Sequence, residues 1–98
     1  MFPFTRFVVT GHSMEPLFKE GDRIVINHLA YIFSKPKTGD IVAFEHSNEK
    51  KETLLKKVEK VTGDQLTVVG LNDADTLDSR QLGQIKKSQI IGKVLTKY

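Results

Sequence analysis

The chain has 98 residues, 39% of them apolar and 28% charged, which suits one globular domain over residues 1–98 and leaves no room for a second core. It contains no cysteine, so a disulfide framework, a thiolate zinc site and a cysteine nucleophile are all excluded. The net charge of +3 comes with lysine pairs at Lys50–Lys51, Lys56–Lys57 and Lys86–Lys87 but no aromatics interleaved among them, the pattern of a solvated surface and not of a nucleic-acid footprint.

Taken in order, Met1–Phe4 lacks the basic start and long apolar centre of a secretory signal, and no later run approaches the ~20 apolar residues of a membrane span. The chain as given therefore reads as soluble, or as the soluble part of something longer, on either side of a membrane. Phe2, Phe4 and Phe7 are able to touch a membrane surface, although aromatics beside a strand are more often core. Thr5–Thr10 predicts a first strand running into a turn at Gly11. Met14–Phe18, interrupted by Pro16, predicts one tight turn.

Three Gly-Asp pairs follow, Gly21–Asp22, Gly39–Asp40 and Gly63–Asp64. Glycine supplies a positive φ and aspartate bonds nearby backbone, so each pair predicts a strand behind it: Arg23–Asn27, Ile41–Glu45 and Gln65–Val69. Leu29–Thr38 is an excursion ending in an exposed Lys35-Pro36-Lys37 turn, with Leu29, Tyr31, Ile32 and Phe33 forming either a short helix or a groove wall. His46–Glu52 predicts a polar hairpin tip, Thr53–Val61 a further strand and Ile90–Leu95 a last one, in which Gly92 marks a bulge or a close backbone approach. The expected class is all-β, a small folded sheet or barrel.

The chemistry centres on Ser13, set at a strand exit between Gly11 and Pro16. A serine is a weak nucleophile until a neighbouring base takes its proton. His12 adjoins it, but adjacent residues of an extended segment point apart. His28 and His46 are isolated and show no metal-ligand spacing, so no metal or other cofactor is expected. In Thr53–Val61 the two-residue period places Lys56 with Leu54 and Val58, and Lys57 with Leu55, Glu59 and Val61. An ammonium among aliphatic side chains loses hydration, which lowers its pKa from ~10.4 by up to 3–5 units when burial is complete, and a neutral lysine accepts a serine proton. The ordinary alternative is a lysine stem laid along apolar surface with its ammonium in water. A triad of Ser13, His46 and Asp78 is a further alternative.

Gly11-His12-Ser13-Met14-Glu15-Pro16, then Lys56-Lys57-Val58 ahead of Gly63-Asp64, then Asp78-Ser79-Arg80 with Gly83 beyond, resembles the signal peptidase I family of serine proteases. Each piece is short and unspecific, whereas their order and spacing over Val8–Val94 are specific. The resemblance implies Ser13 as nucleophile and Lys56 as general base, a pair that needs neither histidine nor metal. It implies that Thr76 orients the lysine amine and that Asp78 and Arg80 support the site as an ion pair holding the Ser79 turn. Gly11 and Met14 flank the nucleophile; where some members offer a serine hydroxyl to the oxyanion, Gly11 has none, so the donors would be backbone N–H groups. Lys57 stands where arginine is usual, Leu71 where an acid is, and Gln81 and Leu82 where aromatics are.

The resemblance further implies a precursor protein with an N-terminal leader as partner, bound as an extended strand with small side chains before the cut, and no nucleic acid. Met14, Phe18 and Leu29–Phe33 are the candidate groove walls. The typical anchor and the large insertion before Asp78 are missing, and in size and motif set the chain is similar to the small maturation proteases of nickel-type superoxide dismutase. The rival from another class is a catalytically idle β-domain that binds peptide or nucleic acid.

Overall fold

Short β-branched and aromatic runs bounded by Gly-Asp turns dictate many brief strands, and brief strands form. The computed structural model describes residues 3–11, 14–45, 53–71 and 84–98. It contains β1 (Phe4–Val8), β2 (Arg23–Asn27), α1 (Ala30–Phe33), β3 (Ile41–Glu45), β4 (Thr53–Thr62), β5 (Gln65–Val69), β6 (Ile85–Lys86), a 3-10 turn (Lys87–Gln89) and β7 (Ile90–Lys97). The strands form one seven-stranded antiparallel sheet in the order β1-β2-β7-β3-β4-β5-β6, curled into a half-barrel. The fold is therefore all-β, as expected.

The strands opened by Gly-Asp pairs begin and end where the sequence places them. The first strand differs: Val9 leaves the β1–β2 ladder and bonds to the Gly21–Asp22 turn. The excursion after Asn27 takes a single helical turn, α1, the short helix among the two expectations. The β4–β5 hairpin closes with a two-residue turn, Gly63–Asp64, in which Gly63 adopts φ +59 and Thr62 faces Gln65.

Two apolar clusters sit on opposite faces of the central strands. One gathers Val9, Met14, Phe18, Ile24, Ile26, Ala43, Leu55 and Val94. The other gathers Val42, Phe44, Val58, Leu66, Val68 and Ile85, with Tyr31 of α1 packed on it. β3 sends alternate residues to each, so its apolar run is continuous instead of alternating with polar residues. β7 crosses from β2 to β3 with a register shift: Phe44 faces Ile90 and Ala43 faces Gly92, which leaves Ile91 as the extra residue of a bulge. Both expectations for Gly92 are met, since the Asn27 carbonyl also lies against it.

Candidate active site

Lys56 is 1% exposed, and no other charged side chain is buried among the described residues. The β3–β4 register sets it opposite Val42, and its strand neighbours at two-residue spacing are Leu54 and Val58. Val42, Phe44 and Val58 are each 0% exposed, so the Lys56 side chain is shielded from bulk water on an apolar face of the sheet. Such a setting removes the water that stabilises an ammonium.

Ser13 and His12 lie outside the described residues, as do His46, Thr76, Asp78, Ser79 and Arg80. The flanks of Ser13 are described. Gly11 adopts φ +81, a conformation that favours glycine, and Met14 is 2% exposed. The Met14 carbonyl accepts the Phe18 N–H at 2.9 Å, closing one turn, and the Glu15–Pro16 peptide is cis.

Thr10, Gly11 and Met14 form one wall of a narrow cavity of about 40 Å3 whose other wall is Thr53, Leu54 and Leu55 of β4. Met14 and Leu55 also share a core cluster. The backbone on both sides of Ser13 is thereby seated against the residues that lead into Lys56. Over that stretch β4 pairs with β3 alone, because pairing to β5 starts at Lys57 with Val69. Among the described residues, no strand pairs with Thr53–Leu55 on the side away from β3.

Of the groove walls expected from sequence, Met14 lines this cavity. Phe18 is core, 6% exposed, and Tyr31 and Ile32 line a separate cavity of about 180 Å3 with His28 and Gly92. Thr10, Thr53 and Leu55 are lining residues that the sequence did not point to; Leu54 is the one that the strand period sets beside Lys56, while Leu55 faces the other way. His28 is committed elsewhere: its Nδ1–H donates to the Ile91 carbonyl at 3.1 Å, which leaves Nε2 to accept the Thr5 hydroxyl. Among the described residues no His, Asp and Glu group of three or more is arranged to hold a metal, and no helix is long and apolar enough to cross a membrane.

Two turns of the same sequence form, Lys-x-Gly-Asp, hold the strands around this site. In Lys19–Asp22 the Asp22 carboxylate accepts the Lys19 N–H at 2.8 Å, while Val9 donates to the Asp22 carbonyl and accepts from Gly21, both at 2.8 Å. In Lys37–Asp40 the Asp40 carboxylate accepts the Lys37 N–H at 3.0 Å, while Val58 donates to the Asp40 carbonyl at 2.8 Å and accepts from Gly39 at 2.9 Å. Gly21 and Gly39 take φ +89 and +98, as the third position of such a turn requires.

The Lys19 N–H, with the Lys97 ammonium at 3.2 Å, holds the Asp22 carboxyl below its ordinary value of 3.8. A carboxylate depressed in the folded state stabilises the fold above its ordinary pKa, and that contribution is lost as the pH falls through the lowered value. Thermal unfolding followed downward from about pH 6 is expected to show a loss of Tm below about pH 4 that is smaller in Asp22→Asn, which has no proton to gain there. Parallel curves for the two proteins would count against the assignment.

The chain matches the family model described as signal peptidase, peptidase S26, over residues 1–70. It is similar to signal peptidase I of Bacillus caldolyticus, at 26% identity over 100% of this chain and 81% of that protein. It is also similar to the inactive signal peptidase IA of Staphylococcus aureus strain MRSA252, at 27% identity over 94% of this chain and 80% of that protein. With signal peptidase IB of Staphylococcus aureus strain Mu50 the identity is 34% over 66% of this chain and 33% of that protein. The first two alignments run over 149 and 139 residues, longer than the 98-residue chain, so those relatives carry segments with no counterpart here. With a family model matched over well more than half its length, the chain belongs to the signal peptidase family, peptidase S26.

Proposed function

We propose that the chain is an active serine endopeptidase, one domain over residues 1–98, that removes an N-terminal leader from a precursor protein with Ser13 as nucleophile and Lys56 as general base. The observation that carries this reading is the burial of Lys56, 1% exposed. Among the described residues, Lys56 is the desolvated lysine, the kind of base suited to accept a proton near neutral pH without a metal or a histidine.

In the mechanism, neutral Lys56 takes the Ser13 proton as the serine Oγ attacks the scissile carbonyl. Backbone N–H groups about Gly11–Met14 stabilise the oxyanion. The proton on Lys56 passes to the leaving amine, and the same lysine then activates the water that releases the acyl group. The substrate lies extended along Thr53–Leu55, adding main-chain bonds as a further strand, and a cavity of about 40 Å3 admits a small side chain before the cut. Thr76 orients the lysine amine, and the Asp78–Arg80 pair holds the Ser79 turn. A leader-trimming role of the kind played by nickel-type superoxide dismutase maturation proteases fits the motif set of the chain.

A second reading, a catalytically idle member of the family, is favoured by relatives that are themselves named inactive. Incubation with a set of leader-bearing precursors, with products weighed by mass spectrometry, separates the two. Cleavage by the wild type and none by Ser13→Ala is expected; equal cleavage by both, or none by the wild type, favours the idle domain.

A further inference from the structure

We propose that Lys19–Asp22 and Lys37–Asp40 are a matched pair of clasps on the two backbones that carry Ser13 and Lys56, and that Asp22 and Asp40 are positioning residues for that pair. The inference rests on the Ser13–Lys56 assignment made above. It begins from a duplication that strand prediction does not require. A glycine-aspartate turn needs only to reverse the chain, yet these two repeat the same set of bonds, each on one valine of another strand or its extension. Those valines are Val9, four residues before Ser13, and Val58, two residues after Lys56.

Each clasp is closed in the same way. The carboxylate bonds the lysine N–H three residues back, which locks the turn. The turn then presents one glycine N–H and one aspartate carbonyl, and these take both backbone groups of the valine. Each carboxylate is also tied to a lysine of β7: Lys97 reaches Asp22 at 3.2 Å and Lys93 reaches Asp40 at 3.6 Å. Tyr31 adds a hydroxyl bond to Asp40 at 2.8 Å. One strand therefore anchors both clasps, and through them the segments on which the nucleophile and the base ride.

The third pair, Gly63–Asp64, supplies the internal contrast. It has valine and not lysine three residues before the aspartate, turns β4 into β5 directly, and uses its Asp64 carbonyl to accept the Lys87 N–H at 2.8 Å. It meets the need for a turn without clasping a strand that bears a site residue. The clasp bonds thus occur at the two Gly-Asp turns that reach across to Val9 and Val58 and are absent, among the described residues, from the third, which only ends β4.

The energetic reason is the steepness of catalysis with geometry. A displacement of about 1 Å in a reacting group costs on the order of 100-fold in rate, far more than the same shift costs a surface strand. Removing one carboxylate frees one lysine N–H and one β7 ammonium, and lets the turn drift from its valine. The protein remains folded around its two apolar clusters, but one member of the reacting pair loses its fixed distance to the other.

The test compares Asp22→Ala, Asp40→Ala and Asp64→Ala with Asp22→Asn and Asp40→Asn, at a temperature where circular dichroism shows all of them fully folded. Precursor cleavage is measured as separate kcat and KM, and amide exchange is followed at Val9 and Val58. Asp22→Ala and Asp40→Ala are expected to lower kcat about 10- to 100-fold with KM within about 2-fold. Exchange should quicken at Val9 alone in the first and at Val58 alone in the second. The Asn variants, whose amide oxygen still accepts the lysine N–H, should recover most of kcat, and Asp64→Ala should match wild type.

Full kcat in folded Asp22→Ala and Asp40→Ala, or an equal loss in Asp64→Ala, overturns the positioning role and leaves the peptidase reading intact. A wild type that cleaves no precursor overturns the peptidase reading, and the positioning role falls with it.

Discussion

Lys56→Met is expected to lower precursor cleavage by about 10^4-fold or more, the scale seen when a member of a serine-base pair is removed. Its effect on stability should stay below about 1.5 kcal/mol, because methionine keeps the length of the stem against Val42 and Val58 and carries no charge that needs water. Lys56→Arg separates the two things a lysine brings. It keeps the cation and the reach, but a guanidinium is not deprotonated in proteins and cannot accept the Ser13 proton. If Lys56 acts as a base, both variants lose turnover. Were it only a structural cation, Arg would preserve activity where Met does not. Retained cleavage in Lys56→Met with loss in His46→Ala would transfer the base to the histidine. Steady-state cleavage and a melting curve for each variant decide among these outcomes.

The parts of this structure that turn chemistry controls were legible in the residues. Gly21–Asp22, Gly39–Asp40 and Gly63–Asp64 each stand immediately before a strand, so β2, β3 and β5 could be bounded without knowing their partners. The two-residue period likewise sorted Lys56 from Lys57 before any fold was in hand, and Lys56 is the buried one. What could not be read is the order in which strands meet. Nothing local says that β7, the last strand, lies between β2 and β3, and hence that Lys93 and Lys97 reach Asp40 and Asp22. Of the expected groove walls, Met14 lines the cavity beside β4, and the others could not be sorted for the same reason. Phe18 and Tyr31 are apolar in sequence, but whether they face a cavity or a core depends on which distant strand covers them. Ser13, Thr76, Asp78, Ser79 and Arg80 lie outside the described residues, and their roles rest on motif order and on the mechanism proposed.

Gly92→Ala is expected to cost about 3 kcal/mol and to lower Tm by roughly 10–20 °C in a domain of this size. The reason is contact and not backbone conformation. An added Cβ would meet the Asn27 carbonyl oxygen at 2.5 Å, Ile26 Cγ2 at 2.7 Å and the Asn27 carbonyl carbon at 2.9 Å. Two of the three are backbone atoms of β2, which cannot swing aside as the end of a side chain does. Gly21 and Gly39 are the converse case, with open space about an added Cβ but positive φ. Alanine there is expected to cost only about 1 kcal/mol, the price of a left-handed conformation. At Gly92 the clash falls on the β2–β7 seam, and that seam joins β1 and β2 to the remaining five strands. Opening it would separate Val9 and the Ser13 turn from β4 and Lys56. Activity in Gly92→Ala should therefore vanish at a temperature below its own global melting. A Tm within about 3 °C of wild type for Gly92→Ala would show that β7 shifts at little cost and that the seam is softer than its contacts imply.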